Sequence, residues 1–200
     1  MSNRNIGIPN RSGAVLLSSQ GRYDGDELSS LDFESGQNGI DFSVYDSLLF
    51  RWINVNPATD GTQLTFQAST AGHPDTPSYA IKITSAPLVA YHDEADSATF
   101  AGYDSSPDQN ADATAAFQQI SRGIGNGAVE SASGEMIVYG IRSAFAKQFR
   151  SVSNLYLSID YTRMDIIHGY LQTASPLKAF QFKMGSGDFH GVINCYGILP

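Results

Sequence analysis

A two-residue alternation of apolar and polar side chains, returning in short runs along most of the chain, constrains the fold more than any other feature. Residues 63–69 set Leu64, Phe66 and Ala68 against Thr65 and Gln67, and residues 154–162 set Leu155, Leu157, Ile159 and Tyr161 against Tyr156, Ser158 and Asp160. Successive side chains of a strand point to opposite faces, so this period describes strands with one face in a core. Residues 48–55 (LLFRWINV), 79–84, 88–91, 135–141, 165–173, 179–184 and 191–199 read the same way. Residues 48–55 and 63–69 flank a turn, Asn56-Pro-Ala-Thr-Asp-Gly61, and are expected to pair as a hairpin. Residues 113–121 mix helix-favouring alanines with a strand-like end, and residues 142–150 read as a basic crossover. No segment sustains a helical period. Eight or nine short strands separated by turns predict an all-β protein, an antiparallel β-sandwich of jelly-roll type.

One string occurs twice. Gly134-Glu-Met-Ile-Val-Tyr139-Gly140-Ile141 returns as a pattern in Gly191-Val-Ile-Asn-Cys-Tyr196-Gly197-Ile198, each an apolar run closed by Tyr-Gly-Ile. A glycine at the end of such a run marks a bend or a close approach to a neighbour, so two strands of related position are expected.

The 200 residues suffice for one domain with a full core. Residues 1–39, rich in Ser, Asn, Gly and Asp, read as an extended N-terminal arm with one short strand at 14–18, and residues 40–200 as the sandwich. Charge follows the same division. Residues 1–23 contain Arg4, Arg11 and Arg22 and no acid, while the whole chain carries −8. The arm is therefore basic and the body acidic, and the three arginines are the expected partner-binding residues, placed to lie on an acidic protein surface. An acidic body opposes nucleic-acid binding, which needs a positive field. The stretch 14–17 is too short for a signal-peptide core or a membrane span, so neither export by a leader nor a membrane partner is expected. Cys195 lies inside an apolar run and reads as a small buried hydrophobe.

Catalytic signatures are missing from the sequence. His73, His92, His168 and His190 stand far apart, with no pair at metal-ligand spacing. Asp93, Glu94, Asp96, Asp104, Asp108 and Asp112 lack the spacing of a calcium loop and read as a solvated excursion. Gly123-Ile-Gly125-Asn-Gly127 departs from the phosphate-binding fingerprint and reads as a turn. There is no Gly-x-Ser-x-Gly elbow. The expectation is a protein that is not an enzyme, with no catalytic, cofactor-binding or metal-ligating residues and no cofactor. Tyr91, Tyr103, Tyr156 and Tyr170 are candidates for a sugar-stacking or protein-contact face, with packing inside the sandwich as the other reading.

Tyr45 to Thr70 (YDSLLFRWINVNPATDGTQLTFQAST), Gly123 to Gly140 (GIGNGAVESASGEMIVYG) and the closing Tyr196-Gly-Ile198 together resemble a family of jelly-roll virion proteins of tailed phages, especially phages of aquatic hosts. The resemblance covers residues 40–200. It implies a structural protein made in the host cytoplasm and carried on the virion surface. Expected in particular is a capsid decoration, or cement, protein outside the head, with the major capsid protein and copies of itself in a homotrimer as partners. The alternative is a tail-associated adhesin whose partner is a host-surface glycan.

Overall fold

The protein is described by a computed structural model over residues 13–110 and 115–199. It is all-β. The strands are β1 (Ala14–Arg22), β2 (Leu31–Glu34), β3 (Ser47–Pro57), β4 (Thr62–Ser69), β5 (Ile83–Asp93), β6 (Thr99–Tyr103), β7 (Gln118–Ile124), β8 (Ala132–Val138), β9 (Lys147–Tyr156), β10 (Tyr161–Leu171), β11 (Ala179–Met184) and β12 (Phe189–Ile198). They form an eight-stranded sheet, β1-β12-β3-β8-β9-β10-β5-β6, and a four-stranded sheet, β2-β11-β4-β7. Neighbours in both are antiparallel.

Without β5, β6, β9 and β10, the remaining strands pair from the outside inward. β1 pairs with β12, β2 with β11, β3 with β8 and β4 with β7, while β3 also pairs with β12 and β4 with β11. This nested pairing across two facing sheets is the topology of a jelly roll. The other four strands are two inserted hairpins, β5–β6 and β9–β10, and both lengthen the large sheet beyond β8.

An aromatic seam joins the sheets. Phe50 on β3 meets Phe180 and Phe182 on β11 at centroid distances of 4.9 and 5.0 Å, and Phe33 on β2 at 5.6 Å. Further along, Phe66 on β4 meets Phe149 on β9 at 5.2 Å. All five of the inner-seam rings Phe33, Phe50, Phe66, Phe180 and Phe182 are buried, and offset or edge-on pairs of this kind add to the hydrophobic gain of burial. Cys195 is buried among them, where desolvation pushes its thiol pKa up.

The two Tyr-Gly-Ile copies lie on either side of β3, at the ends of β8 and β12. The backbone of Asp46 serves both: its N–H donates to Ile198 O at 3.0 Å, and its carbonyl accepts from Ile141 N at 2.9 Å. The two glycines act differently. Gly140 takes a left-handed φ of 61°, whereas a Cβ at Gly197 would sit 2.5 Å from the Tyr45 ring.

Several sequence expectations are corrected. Residues 48–55 and 63–69 do not form a hairpin, because β3 and β4 lie in different sheets and the turn after Pro57 carries the chain across the sandwich. From Ala14 onward the expected arm is part of the sandwich: β1 forms an edge of the large sheet and β2 an edge of the small one. The strand expected at 14–18 is the start of β1, but its short apolar run, like the brief alternation of Leu31 and Phe33, does not outweigh the polar residues around it. Residues 154–162 break into β9 and β10 at a turn where Asp160 adopts a φ of 59°. The expected crossover at 142–150 contains the start of β9, with Phe149 in the core. Residues 79–82 are irregular because they cross the outside of the small sheet, where Gln67 Nε2 donates to Ile81 O at 2.9 Å. The expected strand at 113–121 appears as β7, with residues 111–114 outside the described residues.

The inner face of β10, beside the small sheet's edge strand β7, carries charges. Asp165 accepts from Arg163 Nε at 2.6 Å and from the Arg122 N–H at 3.1 Å, and Arg163 also reaches Asp104 at 3.1 Å. Asp165 is 1% exposed. Burial pushes its pKa up, against the pull of the adjacent Arg163 guanidinium. Removing one partner of a buried pair leaves an uncompensated charge. Arg163→Ala should therefore lower unfolding free energy by about 3–5 kcal/mol, and Phe50→Ala by a similar ~3–5 kcal/mol through the cavity it leaves. Urea denaturation curves check both.

Candidate functional site: the open face of the large sheet

Each sheet buries one face against the other, and the chain treats the two remaining faces differently. The small sheet's outer face is covered by the protein itself. Tyr79 Oη donates to Asp32 at 2.8 Å, Gln67 Nε2 donates to the carbonyls of Ile81 and Ala116, and Lys183 stands 4.1 Å over the Phe117 ring. Nothing among the described residues covers the outer face of the large sheet.

Strand register assembles that face from residues far apart in sequence. Leu16, Tyr196, Leu49 and Ile137 lie side by side across β1, β12, β3 and β8. In the row that begins at Glu135, Val152, Ile166, Leu88 and Tyr103 lie side by side across β9, β10, β5 and β6. Ile53, Met164, Tyr139 and Tyr170 are also exposed here, with Leu16 54% and Leu88 48% exposed. Two arginines lie among them. Arg51 pairs with Glu135 at 3.2 Å, and its guanidinium lies 5.9 Å from the Tyr196 ring centroid. Arg150 is paired in register with His168. Among the described strand residues of this face Glu135 is the single carboxylate, in a chain with twenty acids.

Of the tyrosines singled out in the sequence, Tyr103, Tyr156 and Tyr170 come to this face. Tyr91 does not: it points to the inner side, stacked on Phe100 at 5.6 Å. Tyr139 and Tyr196, from the two Tyr-Gly-Ile copies, join the face unforeseen; their signal was the repeat itself. Arg22 ends β1 at the edge of this sheet, while Arg4 and Arg11 lie outside the described residues. The four histidines do not converge, and among the described residues no three His, Cys, Asp or Glu side chains gather as a metal site.

The glycine-rich turn holds an anion of its own. Gly127 N donates to Glu130 Oε2 at 2.6 Å, and a Cβ at Gly125 would fall 2.1 Å from that oxygen. Asn56 Nδ2 fixes the turn by donating to the carbonyls of Gly127 and Glu130 at 3.2 and 2.7 Å. A side-chain carboxylate therefore occupies the place a phosphate would need.

At this end of the face lie two adjoining hollows. One, of about 400 Å³, is lined by His92, Glu94, Ser133, Asn154, Tyr156 and Thr162; the other, of about 450 Å³, by Tyr23, Asn54, Asn56 and His190; Ser131 borders both. Tyr156 Oη donates to Glu94 Oε1 at 2.6 Å, and that bond, with burial, pushes the phenol's pKa up to about 12. The turn carrying Glu94 is tied by Asp93, which accepts from the N–H groups of Ser97 and Ala98 at 2.8 Å and from the Ser97 hydroxyl.

No protein-family model, curated protein or solved structure matches the chain. The functional reading therefore rests on the face itself.

The hydrogen bonds to Asp93, chiefly from the Ser97 side chain, hold its pKa below the ordinary 3.8. A carboxylate with a depressed folded-state pKa stabilises the fold above its unfolded pKa, and that contribution is lost as pH falls through the folded value. The amide resonances of Ser97 and Ala98 should accordingly titrate together below pH 3.8, and Asp93→Asn should abolish that titration in two-dimensional NMR spectra.

Proposed function

We propose that the protein is a non-enzymatic structural component of a phage virion, a decoration protein that docks on the outside of the head as a homotrimer. The observation that carries this reading is the open face. Contact surfaces between proteins are enriched in Tyr, Met and Arg and depleted in Lys, Asp and Glu at their centres, and this face has that composition on an otherwise acidic molecule. A contiguous exposed apolar patch on a soluble domain marks an interaction site. The jelly-roll topology agrees with the sequence resemblance to phage virion proteins and adds a rigid platform on which eight strands present one surface. The basic residues Arg4 and Arg11 precede the edge strand β1 in the sequence and supply the charge an acidic protein surface attracts.

The test uses particles lacking the protein and purified full-length chain added back. Leu88→Asp places a charge on the face at an exposed position midway along β5, one strand from the β6 edge, and should reduce particle occupancy at least tenfold with an unchanged circular-dichroism spectrum. Deletion of residues 1–12, which stops short of β1, should weaken occupancy in a salt-dependent way. Full occupancy of particles by the Leu88→Asp protein would sink the proposal.

A further inference from the structure

We infer that the polar end of the open face is a binding site for a neutral oligosaccharide. The two hollows joined at Ser131 run from His190 on β12 over Asn54 and Asn56 on β3 and Ser133 on β8 to Asn154 on β9, Thr162 on β10 and His92 on β5. With strands about 4.8 Å apart, that path crosses five gaps and measures about 24 Å, the length of a short chain of sugar rings.

Three features select the ligand. The first is the kind of polar group on offer. Amides and hydroxyls both donate and accept, as sugar hydroxyls do, and Asn154 and Thr162 are exposed with no side-chain partner among the described residues. The second is a fixed aromatic ring. Tyr156 is held by its bond to Glu94, so it lines the hollow without having to be ordered when a ligand arrives. Such a ring pairs with the apolar C–H face of a sugar, while the Glu94 carboxylate at the rim accepts from hydroxyls.

The third feature excludes other classes. Glu94 and Glu130 border the hollows and repel phosphate, sulfate and uronate groups. The strands beneath, β3, β8, β9 and β10, are paired on both sides. They offer no free backbone edge for an extended peptide to pair with, so a ligand here is read through side chains alone.

The site adjoins the apolar part of the face at Met164, which pairs in register with Asn154, but Leu88 lies four residues along β5 from His92, so a charge there tests particle docking apart from sugar binding. The experiment is isothermal titration of the full-length protein with maltohexaose, cellohexaose and mannohexaose, with dextran sulfate as the charged probe. At least one neutral hexasaccharide should bind, at least tenfold more tightly than its monosaccharide. Asn154→Ala and Thr162→Ala, both at exposed positions, should each weaken binding about five- to tenfold, the effect of losing one ligand hydrogen bond. Leu88→Asp should leave it unchanged. The inference is overturned if none of the three hexasaccharides binds at millimolar concentration, if dextran sulfate is preferred, if the Asn154 and Thr162 variants bind like the parent, or if Leu88→Asp abolishes binding.

Discussion

Phe50 is the residue around which the sandwich closes. It projects from the middle of the large sheet into the rings of β2 and β11, so three strands from distant parts of the chain meet at one side chain. Those contacts fix which face of each sheet is inward. Once Phe50 points in, the pleat puts Leu49 and Arg51 out, and register carries that choice across every neighbouring strand to β6. The composition of the open face is thus set by the same alternation that builds the core.

The two sheets are unequal, and the mismatch shapes what lies outside the seam. Four strands cannot cover eight, so the inner side of β10 is completed by the charged cluster of Arg163, Asp165, Asp104 and Arg122 instead of by apolar side chains. On the small sheet, residues 71–82 and 115–117 lie over polar side chains and satisfy them. The large sheet's outer face has apolar side chains in the same position and no such cover among the described residues. The inserted hairpins, which account for the width of that face, are the feature that most distinguishes this jelly roll from its minimal eight-strand form.

Much of this was readable in the chain. The alternation at residues 63–69 and 179–184 located β4 and β11 to within a residue, because one apolar face turned to the core imposes a strict period. The supposed hairpin of residues 48–69 shows where period fails. A turn motif reports that the chain reverses but not whether it returns to the same sheet, and only the buried aromatics of both strands, facing each other across the core, decide that. Likewise Ile159 fits the alternation of its neighbours but is 61% exposed, since Asp160 turns the chain immediately after it. The open face was the least legible part. Tyr103, Tyr156 and Tyr170 could be singled out as aromatics, but their meeting with Leu16 and Leu88 depends on the pairing of β1 with β12 and of β5 with β10, which no local pattern encodes.

The shared backbone of Asp46 gives the repeated Tyr-Gly-Ile ends a mechanical meaning. Two strands that flank a third and are hitched to one residue, through the consecutive amides on either side of its Cα, are coupled at their ends, since displacing one end pulls on the residue that holds the other. Tyr139 and Tyr196 are thereby kept at a constant spacing, and a partner pressing on either would meet the stiffness of both.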